Sequence, residues 1–547
     1  MIAILLFYPL VIAGFAEARD FTLAFTSRLL ADVGVSRIDI VGTLAGPELS
    51  YALALNPPIT LAAHTLLFRL LGDAPAAQTA ATLAFHLLVV LAAMAVAGAW
   101  REDRAAALVA GTVAAVHPVV AGAVHGIAEL GVVLAAFFVL AAIGLTIRYV
   151  RYGARILLGP LLLAGLFAVA ADAAGLVVLP ACLLAAIAAP AQRRLSRAVS
   201  LAAPVAVAVG ALMPLAYLLA LRGPRLYAAQ LAGPGARQLG DCAAWAMRAL
   251  ILPADFTWRG GHAWLGRLIV AVLAAGLLTL TALRARRRPV VLIWPLLAGL
   301  ALWPKLIALG PPSPEAEAAV FGACYLPVIF TTLWLAELTP GSRRRRIVFV
   351  LALLAVLAPQ ARVMVRTRVE RAELVNRLGR EMNAFVRQAP TGADVLFPVA
   401  PLQMRLMETA FLAAQYQAEA ARQIRYRLVM GGRVLAAPRA TPLGENQRGF
   451  ARLPFTDDDL VLGFSADGRQ IVDLSGQIRA KMKLAEDVIR EEKHGPPVWP
   501  LLDEGVLNRW DVGNKCRGLL ALAPDDFGWF VEGYFYRLHP HLGQVSF

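Results

Sequence analysis

Eleven mostly apolar stretches follow one another through the first two thirds of the chain. They lie at about 1–16, 76–99, 105–122, 126–147, 156–171, 174–190, 198–221, 264–283, 289–309, 320–337 and 347–362. An apolar helix of roughly 20 residues crosses the hydrocarbon core of a bilayer. In lipid every backbone polar group must find its partner within the protein. Continuous apolar runs achieve this as helices, whereas a closed barrel shows alternation. The expected fold class is therefore an α-helical polytopic membrane protein with about eleven transmembrane helices. The 59% hydrophobic content fits this class, since soluble domains hold about 45–50%.

The net charge of +15 raises the question of nucleic acid, and its distribution answers it. The arginines sit in short clusters between apolar runs: REDR (101–104), RYVRYGAR (148–155), QRRLSR (192–197), RARRR (284–288) and SRRRR (342–346). This is a topology signal and no nucleic-acid footprint. All five fall on the even-numbered connections, so one cytoplasmic N-terminus satisfies them all. Residues 17–75, the 222–263 loop and everything after about 363 then lie outside the cytoplasm. The expected location is a bacterial inner membrane, multi-pass, with a periplasmic C-terminus. The first 20 residues lack a basic n-region, so a retained first span is expected rather than a cleaved signal peptide.

The first outer loop, 17–75, reads as two interfacial helices. Phe21, Phe25, Leu29 and Val33 give one apolar stripe. A second helix opens at Pro57 and Pro58 and ends at Gly72. It is too short to span. The tail, 363–547, changes composition. It opens on a charged helical segment and later carries two hairpin patterns, RLVMGGRVLAA and LVLGFSADGRQIVDLS. A small α+β periplasmic domain is expected there, following a transmembrane domain over 1–362. Cys182 and Cys324 fall in spans as small buried groups. Cys242 and Cys516 fall outside, where a disulfide is an open alternative.

Four stretches carry a family resemblance. NPPITLAAHTLLFRLLGDAPAAQTAATLAFHLLVVLAAMAVAG resembles the region after the first outer loop of GT-C membrane glycosyltransferases. AAVHPVVAGAVHGIAELGVVLAAFFVLAA is similar to the HP-containing block of their protein O-mannosyltransferase branch, which includes the transmembrane-and-TPR mannosyltransferases. DAAGLVVLPACLLAA and CYLPVIF are similar to two further blocks of that branch, in the same order. The resemblance implies transfer of a sugar from a polyprenyl-phosphate carrier to an acceptor hydroxyl on a glycan or protein, at the outer face. It implies a base in the first outer loop and basic residues for the lipid phosphate. The chain departs from the pattern at charged positions, which fall here on Gly122, Leu130, Val132, Asp172, Ala173, Phe321 and Gly322. A catalytically inactive relative, serving as a scaffold or accessory subunit in envelope glycan assembly, is the alternative. A transporter is disfavoured, because no inverted repeat with matching broken spans is present.

Individual residues follow from this frame. Asp20 stands at the exit of the first span, where the family keeps its base; an ordinary helix N-cap is the competing role. Glu17 is the second carboxylate at that exit. Glu129 lies inside an apolar run, one turn after His125, with His117 at the end of the preceding run. They form either a polar cluster facing a cavity or a hydrogen-bonded tie between spans. His64, Arg69 and Lys305 are candidates for gripping a lipid phosphate, against simple snorkelling to headgroups. No cofactor is assigned. The His and Glu spacings match no metal signature, and a divalent metal is left open.

Overall fold

The computed structural model describes residues 2–16, 20–21, 23–24, 58–72, 74–188, 201–212, 214, 250, 263–309, 324–388, 394–398, 409–410, 413–414, 416–417, 425–430, 433–436, 460–465 and 469–476. The chain divides into two compact units, Met1–Ala372 and Glu373–Phe547.

The first unit is helical. Its helices are α1 (Ile2–Ala13), α2 (Pro58–Leu71), α3 (Pro75–Arg101), α4 (Arg104–Val116), α5 (Val120–His125), α6 (Leu130–Tyr152), α7 (Leu158–Ala171), α8 (Val178–Ala188), α9 (Leu201–Leu212), α10 (Ala263–Ala285), α11 (Ile293–Leu309), α12 (Tyr325–Leu338) and the first part of α13 (Arg343–Gln388), whose residues after Ala372 belong to the second unit. Among the described residues, Pro75–Arg101, Ile127–Tyr152 and Arg343–Phe385 are long and apolar enough to cross a membrane. The remaining apolar helices are shorter. This is the construction of a membrane protein.

The turn between α3 and α4 shows how the sequence bends the chain. Arg101 ends α3, and Glu102 takes a left-handed φ of 55°. Asp103 then caps α4 by accepting from the Ala105 amide at 2.9 Å. Asp is favoured at this position because its carboxylate satisfies an otherwise unpaired amide. α3 and α4 pack as an antiparallel pair, with Gly111 receiving the Met94 side chain. α6 packs across them with its valines, Ala136, Ala142 and Leu140 buried.

Close crossings depend on glycine. A methyl group on Gly165 of α7 would collide with the Val207 backbone, and one on Gly210 of α9 with the Leu162 carbonyl. The two helices therefore meet backbone to backbone, the small-residue mode of helix association in membranes. Gly131, at the start of α6, likewise leaves room for Thr60 of α2, whose hydroxyl donates to the Ala171 carbonyl at 2.6 Å.

Four of the five arginine clusters gather at one end of this unit. Arg101 donates to the carbonyls of Ala336 (2.6 Å), Glu337 (3.3 Å) and Thr339 (3.5 Å) at the end of α12. Arg151 donates to the Ala99 carbonyl at 2.6 Å and pairs with Glu102 at 3.1 Å. Arg346 lies 3.3 Å from Asp103. Trp334 donates to Thr281 at 3.0 Å, fixing α10 and hence Arg284 against α12. The fifth cluster, 192–197, lies outside the described residues.

In the second unit, five short strands pair in the order β3-β2-β1-β4-β5. They are β1 (Asp394–Pro398), β2 (Arg425–Met430), β3 (Arg433–Ala436), β4 (Leu460–Phe464) and β5 (Ile471–Asp473). Both sequence-predicted hairpins occur, with Met430 opposite Arg433 and Phe464 opposite Ile471. The sequence pattern missed β1, which joins them by parallel pairing to β2 and β4.

Candidate functional site

At the end of the helical unit away from the arginines, three of the sequence-predicted residues lie around Gly126. A methyl group there would stand 3.4 Å from Asp20 Oδ1 and 3.4 Å from Glu129 Cγ. His125 is its chain neighbour. The exit of α1 thus meets the turn that starts the Ile127–Tyr152 helix.

Asp20 is 1% exposed. Its Oδ1 accepts from the Ala128 amide at 3.1 Å. That amide belongs to the first turn of the long helix, where N–H groups lack intrahelical partners and the helix dipole favours negative charge. The carboxylate therefore caps a helix more than 100 residues away in sequence, a role distinct from capping its own helix.

His125 Nε2 donates to the Gly14 carbonyl at 2.9 Å, since a carbonyl only accepts. This bond leaves Nδ1 as a lone-pair acceptor. It is buried and has no hydrogen-bond partner among the described residues. Burial, reinforced by the positive charge of Arg368, pushes the imidazole down to about 3, against the Gly14 bond that favours protonation. His125 is thus a neutral acceptor at any physiological pH. Arg368 itself is 5% exposed and sits on α13. Twenty-five residues of helix from Arg343 carry it about 37 Å from the arginine end.

The other expected residues separate. His64 is buried on the inner stripe of α2 with Thr60, Leu61 and Thr65, whereas Arg69 is exposed. Five residues apart at 100° each, they point about 140° from one another and do not share a face. His117 accepts from the Val119 amide at Nδ1 (3.3 Å) and donates from Nε2 to the Leu250 carbonyl (3.1 Å). Both ring nitrogens are engaged in holding backbone. Asp172, one of the departed family positions, accepts from the Ala174 amide at 2.7 Å and starts the next turn. Lys305 lies within α11, and its side chain is outside the described residues, as are Glu17, Cys242 and Cys516. Among the described residues, no three His, Cys, Asp or Glu side chains gather as a metal ion would require.

Two residues of interest were not singled out from the sequence. Arg368 gave no local signal, because it sits among six other arginines between 362 and 387 and only packing distinguishes it. His86 did give one: an ionisable group inside an apolar run marks function by default. It is fully buried, its Nδ1 lies 2.6 Å from the Tyr325 hydroxyl, and it packs edge-on against Phe7 and Tyr325.

The Asp20, His125 and Glu129 group is thus a polar end-site built from the α1 exit, a glycine turn and a helix N-terminus. It offers a carboxylate, a neutral imidazole acceptor and a nearby guanidinium. No family model matches the chain, and no curated protein matches it.

Proposed function

We propose that the chain is an integral membrane glycosyltransferase that moves a sugar from a polyprenyl-phosphate carrier to an acceptor hydroxyl. The observation that carries this reading is the meeting of Asp20, His125 and Glu129 around Gly126, with the positive charge of Arg368 acting on the same site. The ordered sequence resemblance to GT-C enzymes supplies the reaction class.

In this mechanism Asp20 removes the proton of the acceptor hydroxyl, and the hydroxyl oxygen attacks the anomeric carbon. The bond from that carbon to the carrier phosphate breaks, and its electron pair leaves with the phosphate, inverting the centre. His125 Nδ1 orients a donor hydroxyl by accepting its hydrogen bond. Arg368 receives the leaving phosphate, as a guanidinium fork suits phosphate oxygens. The reading also takes the eleven-span topology, a bacterial inner membrane and a periplasmic C-terminal domain from the arginine pattern. About 33 Å of helix separate Glu129 from Arg151, close to the roughly 30 Å of a hydrocarbon core, which supports a site at the opposite headgroup level.

Membranes containing the protein should transfer label from a polyprenyl-phosphate sugar, and Asp20→Asn should abolish transfer. Full transfer by that variant would remove the proposed base.

A second reading has its own observation. Gly122, Leu130 and Val132, where the resembled family carries charge, are buried in apolar packing. That suits an inactive relative acting as a scaffold or accessory subunit. Recovery of a stoichiometric envelope-assembly partner, with no binding of the lipid-linked sugar, would favour it.

A further inference from the structure

The arginine end holds a feature that orientation alone does not require. Glu337 is 2% exposed, yet it lies among positive charges: those of Arg101, Arg284 and Arg288 all act on its carboxylate, and Trp100 donates a hydrogen bond to it. These residues come from the ends of α3 and α10, the turn into α11, and the end of α12. Ala97, Trp294 and Leu333 close around Trp100, Arg101 and Glu337. Trp100 and Trp294 meet edge to face at 5.1 Å.

The charges do not cancel. Asp103 is shared with Arg346, so the group keeps a positive excess after both carboxylates are counted. Arg101 is committed to three α12 carbonyls. Arg284 is not: its Nε is buried and has no hydrogen-bond partner among the described residues. Arg288 is exposed beside it. Apolar side chains flank the pair on the membrane side, with Leu280 and Leu283 on α10 and Leu292 and Leu296 near α11 all about half exposed.

We propose that Arg284 and Arg288, backed by Glu337 and the Trp100–Trp294 pair, form a binding site for the phosphate of an anionic phospholipid. The phosphate completes the charge balance and gives Arg284 Nε its missing acceptor. The buried Trp100–Trp294 pair packs behind the group. The exposed leucines take an acyl chain. Basic pockets between helices on the arginine-rich side suit such headgroups, and each arginine contributes roughly a fivefold gain in retention. Glu337 keeps three guanidinium groups from repelling one another while the site is empty.

The test uses the full-length protein in detergent, with lipid retention read by native mass spectrometry. Phosphatidylglycerol and phosphatidylcholine of the same chains compete, and inorganic phosphate is added in a separate arm. Selective retention of phosphatidylglycerol that phosphate does not displace is expected. Arg284→Gln with Arg288→Gln should lower retention roughly tenfold or more. Arg286→Gln with Arg287→Gln, in the same cluster, should lower it less than about twofold. If the first pair compromises folding, Arg288→Gln alone, at an exposed position, should still lower retention roughly fivefold. Equal loss from both pairs would reveal diffuse attraction and overturn the site. Equal retention of the zwitterionic lipid, or displacement by inorganic phosphate, would overturn the ligand.

Discussion

At one end of the Met1–Ala372 unit, guanidinium groups join helix to helix; at the other, a carboxylate and imidazoles do so. Arg101 caps the carbonyls that end α12, and Arg151 reaches the carbonyl of Ala99. Across the unit, Asp20 caps the amide of Ala128, and His125 and His117 hold the carbonyls of Gly14 and Leu250. Both ends satisfy orphaned backbone groups, and each uses the charge that the local helix dipole favours. The difference lies in what is left over. The arginine end keeps an excess of like charge at its surface. The other end keeps the buried His125 Nδ1, an acceptor suited to holding a bound molecule.

The largest test of this contrast is Asp20→Asn. If the residue acts as a base, transfer should fall by at least about 100-fold, the usual scale of general-base catalysis. Asn retains an acceptor for Ala128, so thermal stability should change little. A comparable fall in stability would make Asp20 a structural cap alone. The crossing that holds the unit together gives a second test. Gly210→Leu forces α7 and α9 apart and should destabilise by about 1–3 kcal/mol, measured by thermal unfolding in detergent. Normal stability would mean that the backbones do not approach closely.

Arg101→Ala removes three charge-assisted hydrogen bonds from the end of α12 and should cost about 1.5–3 kcal/mol. A much smaller effect would show the arginine end to be loosely solvated. The His125 imidazole titrates near 3 in the fold, below its ordinary value of 6.5. The unfolded chain therefore binds the extra proton between those values, so stability is full above about pH 6.5 and falls toward pH 3. His125→Gln should flatten that part of the profile; an unchanged profile would assign the acid sensitivity elsewhere. Arg69→Ala should be the mildest change, within about 0.5 kcal/mol, since the side chain is exposed. A strong loss of transfer in that variant would return Arg69 to the phosphate site.

The apolar runs alone make this a helical membrane protein. Apolar length decides that, because unsatisfied backbone groups are too costly in lipid. Local punctuation was legible too: Pro58 starts α2, and Gly72 ends it with a φ of +72°. Asp20, His125 and Glu129 were legible as chemistry-bearing types near span ends. Their meeting at Gly126 was not, since it requires the α1 exit and the α5–α6 turn, more than 100 residues apart, to pack together. The side of α2 that faces inward, parting His64 from Arg69, and the choice of Arg368 from a row of arginines were likewise decided by packing. So was β1, whose five residues are too few to carry a period and gain their pairing only from β2 and β4. Pattern along a chain records what each residue prefers; which preferences coincide at one point depends on contacts between segments far apart in sequence.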